Sequence, residues 1–248
     1  MSGADTFTRW AVIASGEGGG RIASTLFSRT ENPGIDDRIL VLNTNRTDIR
    51  NTIDRIERYA AMDMEAIQRD HTLDFGPLDG VGNYFPGGEQ CAEVDEDRIF
   101  NQIEDSGIDQ SDAFLYMTTL GGGTGNGSIP YIIRSLKNNP PTAAMKDIIH
   151  VALAAWPYDF EGGQRHFNAV SGLSRLLRWY DGTQNADMVL LDPTKETVLS
   201  ADTFRTRSRD AIRHVLGFRC RGAIASVWSR GRQVVELTDL VVEGRLAL

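Results

Sequence analysis

Residues 113–128 read AFLYMTTLGGGTGNGS, an apolar run (Ala113–Thr118) followed by a loop with five glycines between Gly121 and Gly127. The run is apolar at successive positions rather than at alternate ones, the pattern of a strand covered on both faces. Ile129–Leu136 then has helical character. A strand, a glycine-rich turn and a helix in that order set a helix N-terminus beyond the carboxyl end of the strand. Unpaired N–H groups and the helix dipole favour an anion there. Gly121, Gly122, Gly123, Gly125 and Gly127 carry no Cβ and permit positive φ, so successive N–H groups can form an anion-binding nest. Thr124 adds a hydroxyl donor and Asn126 an amide. A tight turn needs one or two glycines, not five; the stretch reads as a phosphate loop.

Outward from it the pattern repeats. Trp10–Ala14 (WAVIA), Arg38–Asn43 (RILVLN), a weaker Thr72–Phe75, Ile148–Ala155 (IIHVALAA) and Met188–Leu191 (MVLL) read as strands. Helical stretches lie near Ile22–Arg29, Thr47–Met64, Cys91–Ile103 and Gly163–Trp179, and a long Gly/Pro loop spans Gly76–Gly88. Doubly apolar strands separated by helices predict a doubly wound, mostly parallel α/β sheet of Rossmann-like type. Ligands in such sheets bind outside the carboxyl ends of the strands, so the loops that follow strands hold the chemistry.

A second glycine-rich loop follows the first strand: Ser15, Gly16, Glu17, Gly18, Gly19, Gly20, Arg21. It too can bring backbone N–H groups to an anion. The dinucleotide fingerprint would place its third glycine where Arg21 stands, and no acid closes the second strand, which ends in Asn43, Thr44, Asn45. A Walker-type loop needs a lysine, and none occurs before Lys137. His71, His150, His166 and His214 lack metal-ligand spacing.

Composition is that of a globular protein: 248 residues, 41% apolar, 24% charged, net charge −8. No apolar run approaches the roughly 18–20 residues needed to cross a bilayer, and Met1–Thr8 lacks the features of a signal peptide. Cys91 and Cys220 form no CxxC pair, which suggests a reducing compartment. The expectation is a cytoplasmic protein without direct membrane insertion. Of 26 basic residues only three are lysines. Eight arginines and one acid lie between Arg205 and Arg232, a local balance of +7 that leaves −15 elsewhere. That asymmetry reads as a polyanion-binding face or as internal neutralisation; the acidic total favours the second, and no nucleic-acid partner is expected.

With these motifs in view, the chain resembles the tubulin/FtsZ superfamily of GTPases. Gly121–Gly127 matches the signature GGGTG, a small or hydroxyl residue, then Gly, except at Asn126. Gly16–Arg21 looks like the first glycine loop of the family, and Asn43-Thr44-Asn45 like its Asn-Thr-Asp. Gly82-Asn83-Tyr84-Phe85-Pro86-Gly87-Gly88 is similar to the tubulin loop that faces the γ-phosphate. Phe160–Arg165 (FEGGQR) looks like the segment whose Glu and Arg hold the sugar and phosphate region. Tubulin-like and FtsZ-like features are mixed, as in archaeal CetZ-like relatives. Glu161 and Arg165, four apart at a helix start, share one face; taken alone they read as a surface ion pair. The resemblance implies GTP or GDP with Mg²⁺ as ligand. Phe204 matches a position whose ring stacks on the base, and the positions that read guanine correspond to Arg21, Thr194 and Ser208.

The resemblance also implies a cytoskeletal or cell-division role and hydrolysis in trans. In the family a neighbouring subunit inserts an acidic loop over the γ-phosphate after head-to-tail association into a filament. Val234–Asp239 (VVELTD), after a longer helical region, is the nearest match, which makes Glu236 and Asp239 the candidate catalytic carboxylates. The rival reading is a non-polymerising nucleotide-binding regulatory or scaffold module. Residues 1–200 form the expected nucleotide-binding domain and 201–248 a core-helix region. The family's C-terminal domain is expected to be missing or vestigial.

Overall fold

The computed structural model describes residues 9–27, 38–57, 70–192, 226–229 and 232–236. Six parallel strands form the central sheet: β1 (Trp10–Ser15), β2 (Ile39–Asn43), β3 (Thr72–Asp74), β4 (Ala113–Thr119), β5 (Ile149–Ala155) and β6 (Met188–Asp192). Their spatial order is β3-β2-β1-β4-β5-β6. The register pairs Val12 with Ile39, Trp10 with Ala113, Ala113 with Ile149 and Val151 with Met188. This is the predicted doubly wound parallel sheet, and the sequence order reverses between β1 and β4.

Helices α1 (Gly16–Phe27), α2 (Arg46–Glu57), α3 (Phe85–Val94), α4 (Glu96–Asp105), α5 (Thr124–Asn138) and α6 (Gly163–Leu177) connect the strands. Successive side chains of a strand face opposite ways. Ala11, Ile13, Leu40, Leu42, Phe114 and Tyr116 join one cluster with Ile99 and Ile103 of α4 and Ile129, Ile132 and Ile133 of α5. Val12 and Val41, on the alternate positions, are also buried, as are Ile22 of α1 and Ile53 of α2. Apolar burial on both faces, at about 1.5–3 kcal/mol for each large side chain, is why the strands show no alternation.

The structure extends three helices beyond their predicted starts, α1 beginning at Gly16 rather than near Ile22. Helix α3 begins at Phe85, inside the stretch expected to be loop, and α5 begins at Thr124 rather than at Ile129. Both starts are rich in glycine, a poor helix former, and tertiary packing overrides that preference. A Cβ on Gly127 would lie 2.2 Å from the Phe85 carbonyl oxygen and 2.4 Å from the Glu89 nitrogen, so only glycine lets α3 and α5 pack backbone to backbone.

Beyond the sheet, β7 (Ser226–Ser229) and β8 (Arg232–Glu236) pair antiparallel, with Ser226 opposite Glu236. Of the helical region expected before Val234, the described residues Ser226–Ser229 and those from Arg232 onward are extended rather than helical. The remainder of 201–248, including the expected core helix and the question of a C-terminal domain, lies outside the described residues.

Candidate functional site

Five loops meet at the carboxyl end of the sheet, around the switch between β1 and β4, and enclose a cleft of about 550 Å³. The loop after β4 forms its floor with Thr119 and Gly121, Gly122, Gly123, Thr124 and Gly125. Helix α5 starts there without a side-chain cap, so its first N–H groups are left for a ligand or water. Thr124, nearly buried, shares a 2.8 Å hydroxyl contact with Thr44. If Thr44 donates, the Thr124 hydroxyl hydrogen is available to an oxygen in the cleft.

The loop after β1 adds Gly16, Glu17, Gly18 and Arg21. Helix α1 begins at Gly16 itself, whose φ of 75° suits glycine. Glu17 and Arg21 pair across one helical turn. From β2 and α2 come Asn43, Asn45, Asp48 and Arg55. The Asn43 side-chain oxygen accepts the Asn45 N–H at 3.2 Å, an Asx turn that aims the start of α2. Partial burial pushes the Asp48 carboxyl above its usual range, and the charge of Glu17 adds to the effect. Gly80, Val81, Gly82 and Asn83 close the third side.

The loop after β5 brings Ala155, Trp156, Pro157, Tyr158, Glu161 and Arg165. Glu161 accepts the Tyr158 N–H at 2.8 Å and pairs with Arg165 at 2.9 Å. The ion pair and the cleft position therefore coexist. An exposed i, i+4 pair contributes only about 0.3–0.5 kcal/mol, so both groups can re-partner with a ligand at small cost.

Several predicted residues stand behind the cleft rather than on it. A Cβ on Gly19 would meet the Met117 carbonyl oxygen at 2.3 Å, and one on Gly20 the Thr52 hydroxyl at 2.6 Å: both let α1 approach its neighbours. Gly87 and Gly88 lie in the first turns of α3, with Gly88 against the Gly123 carbonyl. Asn126 is fully buried and donates to the Leu120 and Asn168 carbonyls, so its amide does not face the cleft. None of Gly121–Gly127 has positive φ; these glycines matter for space, not for left-handed backbone. Thr194, Phe204, Ser208 and Asp239 lie outside the described residues. Glu236 is the last residue of β8.

Sequence reasoning missed Asp48, Arg55, Thr119 and the Trp156–Tyr158 segment. The position of Asp48, five residues after the end of β2 on the first turn of α2, was available as a signal. Among the described residues no group of three or more His, Cys, Asp or Glu that could hold a metal ion occurs. No helix among them is long and apolar enough to cross a membrane.

A parallel sheet in this order, with glycine loops after β1 and β4 and an acid-arginine pair after β5, is the arrangement of the tubulin/FtsZ class. The chain belongs to that family: residues 9–187 match the model of the tubulin/FtsZ family, GTPase domain. It is 26% identical over 177 residues to tubulin-like protein CetZ1 of Haloferax volcanii, covering 69% of this chain and 40% of that one. Among solved structures it is similar to the GDP-bound monomer of CetZ1 (TM-score 0.66, 22% identity, 84% of this chain and 60% of that one). It is also similar to the GTPγS-bound protofilament of CetZ2 from the same organism (TM-score 0.62, 20% identity, 84% and 57%). The chain spans less than half the length of the curated relatives it matches.

Proposed function

We propose that the cleft binds GTP or GDP with Mg²⁺ and that the protein is a self-associating GTPase of the cytoskeletal or cell-division kind. One observation carries the reading: five strand-end loops converge on the uncapped N-terminus of α5 at the switch point of the sheet. The backbone N–H groups of Gly121 to Gly125 and the hydroxyl of Thr124 bind phosphate oxygens. Glu161 accepts hydrogen bonds from ribose hydroxyls, and Arg165 offers its fork to oxygen atoms. Arg21 of the cleft is the residue we assign to the base; Phe204 and Ser208, which the resemblance assigns there too, lie outside the described residues. Mg²⁺, if bound, would neutralise charge on the phosphates; beside phosphate and water ligands the cleft offers the carboxylates of Glu17 and Asp48, Glu161 being assigned to the ribose.

Hydrolysis is completed in trans. A second copy, docked head to tail, presents Glu236 and Asp239 to the γ-phosphate, where a carboxylate orients the attacking water. The GTPγS-bound protofilament of the CetZ2 relative supports an assembly of this kind. Phosphate release measured across protein concentrations, beside light scattering, tests it. Specific activity rises steeply with concentration and is lost in Asp239→Ala. Tight binding with negligible, concentration-independent release leaves a binding module instead, and equal displacement of labelled GTP by ATP removes the guanine preference.

A further inference from the structure

Two buried asparagines stand directly behind the glycine loop. The Asn126 side-chain nitrogen donates to the carbonyls of Leu120 (2.8 Å) and Asn168 (2.9 Å). The Asn168 side-chain nitrogen donates to the carbonyls of Asn83 (2.7 Å) and Gly121 (3.1 Å). Both residues are 0% exposed. Each amide nitrogen lies between two carbonyl oxygens, which fixes which end is the donor and uses both of its N–H groups. Gln164, exposed one turn earlier on α6, donates to the Asn168 side-chain oxygen at 3.0 Å and holds that amide in orientation.

The consequence follows from peptide geometry. No cis peptide occurs among the described residues, and in a trans peptide the C=O and N–H point in opposite directions. Asn126 draws the Leu120 carbonyl inward, so the Gly121 N–H turns away from it. Asn168 draws the Gly121 carbonyl toward α6, so the Gly122 N–H turns away from α6. Gly121 and Gly122 both line the cleft. A carbonyl left facing the cleft would repel phosphate oxygens, and glycine peptides, free to rotate, need something to prevent that. We propose that Asn126 and Asn168 are positioning residues that set the polarity of the loop, carbonyls inward and N–H groups toward a polyphosphate. Asn168 also ties the Asn83 loop to it, joining segments 47 and 85 residues away in the chain. The role rests on the nucleotide reading for its ligand but not for its geometry.

Competition of GDP and of guanosine against a fluorescent GTP analogue tests the role on the full chain. Asn168→Ala and Asn126→Ser weaken GDP by about tenfold or more and guanosine by less than about twofold, because only phosphate contacts are misdirected. Gln164→Ala, on an exposed side chain that folding does not need, weakens GDP by about threefold. Equal losses for GDP and guanosine overturn the proposal, as does GDP binding within about twofold of wild type in all three variants. In the free protein the amide ¹⁵N–¹H signals of Gly121 and Gly122 move in Gln164→Ala and Asn168→Ala; unmoved signals overturn the clamp even where nucleotide binds. If wild type binds no guanine nucleotide, but inorganic pyrophosphate shifts those signals and the variants abolish the shift, the clamp stands and only the nucleotide reading falls. Failure to bind either ligand overturns both.

Discussion

Arg175 shows how much of the cleft depends on a residue that never touches it. It is 4% exposed, pairs with Glu89 at 2.7 Å, lies 4.3 Å from the centre of the Phe85 ring and donates to the Asn126 carbonyl at 2.9 Å. It therefore joins α6 to the first turn of α3 and to α5. Removing one partner of a buried pair strands the other charge, so Arg175→Ala is expected to destabilise by about 3–5 kcal/mol, read from urea denaturation. A cost under about 1 kcal/mol would place the pair among solvated ones. His150 makes a second residue-scale case. It is a buried residue of β5, with its Nδ1 2.8 Å from the Tyr116 hydroxyl. Burial pushes its pKa down to about 4, Lys137 adds to the fall, and the nearby charge of Asp187 opposes it. The unfolded chain takes up this proton near pH 6.5 and the folded chain only near 4, so the stabilisation is full above about 6.5 and shrinks as pH falls through that window. The loss reaches about 1.4 kcal/mol per pH unit. Denaturation midpoints at pH 7 and pH 5 should differ more for wild type than for His150→Gln; parallel lines for the two proteins would remove His150 from the account.

At the scale of elements, the glycines divide into those that pack and those that face the cleft, and substitution separates them. A Cβ on Gly125 would lie 2.2 Å from the Ser15 carbonyl oxygen and 2.4 Å from the Thr118 hydroxyl, so α5 and the end of β1 would have to part. Gly125→Ala is expected to cost about 1–3 kcal/mol, as overpacking does. A Cβ on Gly122 finds nothing nearer than 3.9 Å, so Gly122→Ala should change stability by no more than about 0.5 kcal/mol. Its methyl group nonetheless enters the space of the phosphates, and GDP affinity should fall by about tenfold. A melting curve and a binding titration on the two variants suffice; a stable Gly125→Ala protein would refute the packing account. The same division explains what was legible in the sequence. Strands buried on both faces announce themselves through continuous apolar runs, and β1, β2, β4 and β5 sit where WAVIA, RILVLN, AFLYMT and IIHVALAA place them. Glycines at the start of α3 and α5 look like loop because propensity counts local cost alone, whereas Gly88 and Gly127 are repaid by a close helix crossing that no local pattern reveals. Asn126 is the clearest loss: its place in a phosphate motif suggested a ligand contact, and only the fold shows its amide turned inward. Arg55 was hidden for the opposite reason, since a polar residue two turns into α2 looks like part of any solvated helix, although it lines the cleft.

At the scale of the whole molecule, the proposed chemistry is divided between two ends of the chain. The cleft belongs to the sheet and its loops, whereas the candidate carboxylates Glu236 and Asp239 come from the arginine-rich final segment. A head-to-tail contact is heterologous: one copy contributes its cleft, the next its carboxylates, and the same pair of surfaces repeats. Two defects placed in different copies must then complement. Asp239→Ala retains an intact cleft and lacks the trans carboxylate; Gly122→Ala combined with Arg165→Ala has a defective cleft and keeps both carboxylates. Each alone should release phosphate at a few per cent of the wild-type rate or less. In an equal mixture, half the clefts are intact and half of their neighbours carry Asp239, so activity should recover to about a quarter of the wild-type value if copies pair at random. Added salt should weaken the recovery where charged groups meet across the contact, since ions screen exposed pairs. A mixture no more active than its components would place the catalytic groups within a single copy and end the trans assignment of Glu236 and Asp239.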